Sequence, residues 1–128
     1  MFKSLKERMQ RENYQRTSID LFSGPGGLCT GFKWGGILPL IAVEWTDTTV
    51  ETYSVSHNTD VFHLNEYTDG TNKNEEYLNR FLKETSQSLL IHGDINLVSS
   101  DMIKEFLLKR YGIDCDTETV DVISGGAP

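Results

Sequence analysis

The chain has 128 residues, a formal net charge of −7 and two cysteines. A length of this order holds one domain with a real core and leaves no room for two, and the acidic balance argues against a broad polyanion-gripping surface, because nucleic-acid affinity rests on Lys and Arg neutralising phosphates. Cys29 and Cys115 make neither a zinc spacing nor a disulfide framework, no stretch approaches the ~20 apolar residues of a membrane span, and the polar, charged N-terminus (residues 1–16) has no apolar core of signal-peptide length. A soluble protein of the reducing cytoplasm is therefore expected.

In chain order, Phe2, Leu5 and Met9 recur at helical spacing among charged residues, which predicts a short lead-in helix within residues 1–16, ahead of a domain spanning 17–128. Residues 17–22 read as a strand. Gly24, Gly26 and Gly27 then allow positive φ and close approach of a ligand, and a helix carrying Leu28 and Phe32 offers unpaired N–H groups at its start, as in a nucleotide-binding βα turn. Gly35-Gly36 ends that helix. Residues 37–43 form the continuous apolar run of a strand buried on both faces, with Pro39 at its start and Glu44 and Trp45 at its carboxyl end. Thr46 or Asp47 caps a second helix that carries Val50 and Tyr53 inward and ends near Asn58. Val61-Phe62 is a short strand or a loop.

Residues 65–88 turn polar and read as an insertion at a sheet edge, in which Tyr77, Leu78, Phe81 and Leu82 share one helix face. A third strand at 89–91 leads into Gly93-Asp94-Ile95. Ser99 or Ser100 caps a helix with Ile103, Phe106, Leu107 and Tyr111 inward, which Gly112 ends. The last strand, 120–123, runs into Gly125-Gly126-Ala127-Pro128, a second ligand-facing loop. Strands alternating with helices imply right-handed crossovers and a doubly wound, Rossmann-like α/β sheet with its functional residues at the carboxyl ends of the strands.

That edge carries a specific chemistry. Glu44 lies about 20 positions beyond the glycine turn, where a Rossmann-type fold places a ribose-binding carboxylate, and it suits two unphosphorylated hydroxyls. Trp45 offers a flat face for an adenine ring, and Asp94 can accept a hydrogen bond from an exocyclic amine, with Ile95 closing the apolar side. A helix N-cap and an exposed turn carboxylate are the plain structural alternatives for Glu44 and Asp94, and core filling is the alternative for Trp45. The dinucleotide fingerprint fails because Cys29 stands where its third Gly belongs, and the phosphate loop fails because Phe32 follows Gly31. Adenosine without phosphates points to S-adenosylmethionine. His57, His63 and His92 show no metal spacing and read as surface or loop imidazoles.

Asp20-Leu-Phe-Ser-Gly-Pro-Gly-Gly27 with Gly31-Phe32, then Glu44-Trp45, Gly93-Asp94-Ile95 and Gly125-Gly126-Ala127-Pro128, resemble in that order the N-terminal part of a DNA cytosine-5 methyltransferase. The resemblance runs from about Ser18 to Pro128 and implies the N-terminal half of the methyltransferase sheet, with strand order 3-2-1-4. It implies S-adenosylmethionine contacts from Phe22, Ser23, Gly24, Pro25, Gly26, Gly27, Glu44, Trp45, Asp94 and Ile95, with Pro128 beside the methyl group. In the family the Gly-Gly-x-Pro stretch is followed by Cys-Gln, whose thiolate attacks C6 of a flipped cytosine and makes C5 nucleophilic. Neither Cys29 nor Cys115 matches that position, so no catalytic residue is assigned and the chain alone is expected to be inactive, as a fragment or a split subunit of a restriction–modification enzyme. DNA would be held by the family's C-terminal part, with a complementary chain as a possible partner and no membrane. A non-catalytic S-adenosylmethionine- or partner-binding module, and part of a transfer-RNA cytosine-5 methyltransferase, are the alternatives.

Overall fold

The computed structural model describes residues 4–21, 31, 33–118 and 120–125. Ser4 opens α1 (Leu5–Glu12) by accepting a hydrogen bond from the Glu7 N–H at 3.2 Å, and Asn13 closes it in the left-handed conformation at φ 63°. Such caps satisfy groups that a helix end cannot pair internally. Leu5 and Met9 pack on the core, and the Arg8 guanidinium donates to Ser86 O at 2.8 Å, tying the helix to the segment before the fourth strand.

Five strands form one sheet: β1 (Arg16–Leu21), β2 (Ile37–Glu44), β3 (Asp60–His63), β4 (Leu89–His92) and β5 (Val122–Gly125). Every neighbouring pair is parallel, and the order is β3-β4-β2-β1-β5. This differs from the expected 3-2-1-4 because residues 60–63 add a strand of their own at the β4 edge. The four expected strands keep their relative places inside the larger sheet. Leu38, Leu40, Ile41 and Val43 in β2 are at most 1 % exposed, which explains why this strand is an unbroken apolar run rather than an alternating one. Pro39 sits three residues into β2 with no N–H to give the ladder, and the β1–β2 register shifts between Ser18 and Ile19 beside it.

The last strand begins two residues later than the sequence predicts. Val120 is buried in the core, and Asp121 bridges into the sheet, its carboxylate accepting from the Thr17 N–H at 2.9 Å and its N–H donating to Thr17 O at 3.1 Å.

Side chains alternate across the sheet. Ala42 and Leu90 pack with Val50 and Tyr53 of α2 (Asp47–His57). The opposite face, with Ile41, Val43, Leu89, Ile91 and Phe62, is covered by α1 and by Phe106, Leu107 and Tyr111 of α5 (Ser100–Tyr111). Ser99 caps α5 by accepting from the Met102 N–H at 3.1 Å, and Gly112 ends it at φ 71°.

Segment 65–88 links β3 to β4 and is mostly exposed, yet it sends Tyr67, Tyr77 and Leu78 into the core. It holds the end of α3 (Leu64–Tyr67) and all of α4 (Glu75–Asn79). Tyr67, Tyr77, Phe81 and Phe106 surround the fully buried Phe62 ring at centroid distances of 5.0–5.8 Å. The apolar face predicted through Leu82 outlasts the helix, which stops at Asn79. On α5 the sequence reading omits Arg110, which is 2 % exposed. Its guanidinium donates to Asp60 Oδ2, Gln87 O and Phe81 O at 2.9–3.0 Å and to the Tyr111 hydroxyl at 3.2 Å, so a buried charge is paired and hydrogen-bonded on all three of its nitrogens.

Candidate functional site

The carboxyl ends of the strands share one edge of the sheet. Glu44 pairs in register with His92, His92 with His63, and Leu21 with both Val43 and Gly125. The Gly93 N–H donates to Glu44 O at 3.0 Å, which extends the β2–β4 pairing past the last ladder residue. Glu44-Trp45 and Gly93-Asp94 are thereby brought side by side. Gly93 itself is required by close approach, since a Cβ there would stand 2.5 Å from the Leu64 Cβ.

Glu44 is half-buried, and its Oε1 accepts from the Trp45 N–H at 2.9 Å. Trp45 is 65 % exposed, which sets aside core filling as its role and leaves an aromatic face open beside a carboxylate. Asp94 does serve as a cap: its Oδ1 accepts from the Asn96 N–H at 2.9 Å and opens a 3-10 turn, Ile95–Leu97. A carboxylate offers about four acceptor positions, so this bond takes only part of its capacity.

Ile95 packs against the core and also lines an apolar groove of about 570 Å³ with Leu21, Val98, Ile103 and Ile123. The described lining of that groove includes neither Glu44, Trp45 nor Asp94. Cys115, in the turn before β5, lines the same groove and is partly buried. Phe22, Ser23, Gly24, Pro25, Gly26, Gly27 and Pro128 lie outside the described residues. On the far side of the glycine segment Gly31, Lys33 and Trp34 are helical, with the Gly35 N–H donating to Gly31 O at 3.1 Å.

Of the three histidines read as surface or loop imidazoles, His63 is exposed and His92 partly so, and His57 needs correction. His57 is buried on α2, its ring 4.5 Å from that of Tyr53. His63 and His92 end adjacent strands and meet through their Nδ1 atoms at 2.9 Å, while His92 Nε2 lies 2.9 Å from Asp47 Oδ1. Their separation of 29 residues hid the pair; only the β3–β4 register creates it. Among the described residues no group of three or more His, Cys, Asp or Glu is placed to hold a metal ion, and no helix is long and apolar enough to cross a membrane.

The molecule is thus an α/β protein with an all-parallel five-stranded sheet, compatible with a Rossmann-like fold. No family model matches the chain, and no curated protein matches it significantly.

Proposed function

We propose that the chain is the S-adenosylmethionine-binding portion of a DNA cytosine-5 methyltransferase of a restriction–modification system. The observation that carries this reading is the joining of Glu44-Trp45 to Gly93-Asp94 at the carboxyl edge of two adjacent parallel strands. Ligands of open α/β sheets bind at that edge. The residues fit the cofactor. A half-buried carboxylate next to a largely exposed indole suits a ribose and a purine face, and Asp94 retains acceptor capacity for an exocyclic amine.

When bound, S-adenosylmethionine supplies an electrophilic methyl on a sulfonium. Glu44 would accept hydrogen bonds from the ribose hydroxyls, Trp45 would cover the adenine ring, and Asp94 would orient it by its amine. Because Cys29 and Cys115 do not match the family's nucleophile, these residues account for capture of the methyl donor and not for its use. The net charge of −7 assigns DNA contact to other, basic surfaces of such an enzyme.

Calorimetric titration of S-adenosylmethionine into the chain tests the reading. Binding is expected, and Glu44→Ala should weaken it by ~1–3 kcal/mol through loss of charged hydrogen bonds. Absence of binding, or equal affinity of the variant, would overturn it.

A further inference from the structure

A second pocket, of about 420 Å³, opens where α3 and the 3-10 turn lead away from the carboxyl ends of β3 and β4. Its charge is one-sided. Glu75, Asp101 and Glu105 line it against Lys73, so three carboxylates face one ammonium and leave an excess of two negative charges. None of these four side chains forms an ion pair among the described residues.

Tyr67, the last residue of α3, also lines the pocket and is only 6 % exposed, its ring packed against Phe62. Its hydroxyl has no hydrogen-bond partner among the described residues, yet it is not one of the orphaned polar atoms sealed from the surface. What remains open of this buried side chain therefore meets the pocket. Burial raises the phenol above its ordinary value of 10.0, and the charges of Glu75 and Glu105 push the same way, which places both carboxylates around the hydroxyl.

The lining restricts the occupant. Carboxylates and a phenol oxygen accept, so the ligand must donate, and the excess charge asks for a cation. A metal ion does not match, because among the described residues no three acidic, imidazole or thiol groups converge on one point. The charges are instead spread along the wall, with Glu75 opening α4 and Asp101 and Glu105 one turn apart on α5. Leu78, Leu97 and Met102 line the same space, and a hydrocarbon stem between charged heads can lie along them.

We propose that this pocket binds an aliphatic diamine, one ammonium donating to the Tyr67 hydroxyl beside Glu75 and Glu105 and the other facing Asp101. Two positive charges match the excess of two carboxylates. The proposal is independent of the methyl-donor reading, because it uses none of Glu44, Trp45 and Asp94.

Putrescine, a diamine with a four-carbon stem, is titrated calorimetrically into the chain at low salt, with butanediol and Mg²⁺ as the neutral and the inorganic comparisons. The Tyr67 ring resonances of the unaltered protein are followed by NMR in the same titrations. One equivalent of putrescine should bind and move those resonances, and neither comparison should. Tyr67→Phe should weaken binding by about 10-fold through loss of a hydrogen bond to a charged group. Glu75→Gln and Glu105→Gln, at exposed positions, should each weaken it by about 2–5-fold. Tyr67 resonances that saturating putrescine leaves unmoved would overturn the proposal without reference to any variant. Equal affinity of Tyr67→Phe would overturn it as well, and so would Mg²⁺ binding in place of putrescine, which would show a diffuse acidic surface only.

Discussion

The two ends of the sheet are built differently. At the β3–β4 end the chain seals itself: Phe62 is ringed by four aromatic side chains, and Arg110 joins the loop before β4 to Asp60 at the start of β3. At the β1–β5 end an apolar groove stays open, Ile123 is 66 % exposed, and among the described residues no further strand pairs with β5. Both β3 and β5 are edge strands, but the first end is packed by its own side chains and the second leaves apolar surface open beside its edge. Stability should therefore reside in the first and association in the second.

Substitutions can break that contrast. Phe62→Ala should have the largest effect, a loss of ~3–5 kcal/mol in urea unfolding, because it removes the ring on which the whole aromatic cluster converges. Next comes Gly93→Ala, which forces a methyl onto Leu64 and should cost ~1–3 kcal/mol in the same measurement.

Tyr111→Phe is smaller and depends on pH. The Tyr111 hydroxyl lies 2.7 Å from Gln87 O and 3.1 Å from Leu40 O, so its loss should cost ~0.5–1.5 kcal/mol near neutrality. Burial raises the phenol above its ordinary value of 10.0, with the Arg110 guanidinium pulling the other way. The raised folded-state value means that the protonated phenol's contribution is complete below about pH 10 and is lost as pH rises through the folded value. The gap between the parent and Tyr111→Phe should accordingly narrow in alkali, as urea midpoints at pH 7.5 and 10.5 would reveal. Ile123→Lys should change stability least, within about 0.5 kcal/mol, while reducing self-association seen by sedimentation. A parent chain that stays monomeric at high concentration would remove the contrast between the two ends.

Legibility from sequence followed local pattern. The apolar run of β2, the caps at Ser99 and Gly112 and the inward faces of α2 and α5 could all be read because their signals lie within one element. Where tertiary pairing decides, the reading fell short. Val61-Phe62 is too short to declare a strand, and β3 exists because it pairs with β4 and buries Phe62. Arg110 gave no apolar signal on its helix face, since its partners come from residues 60, 81 and 87. At the candidate site, Glu44, Trp45 and Asp94 could be placed by counting from the strands. The His63–His92 contact could not, because it is made by register across two strands.

The turn between α3 and α4 has a practical use. Thr68 and Lys73 bridge its base, and the Asp69 carboxylate gathers the N–H groups of Asn72 and Thr71, which hold its carboxyl down at about 2. Its tip is fully exposed while Tyr67 and Tyr77 on either side are buried. A fluorophore or short epitope placed at Gly70 would thus report on the molecule from a tethered outpost, whereas excising residues 65–88 as a dispensable ornament would take out part of the keel.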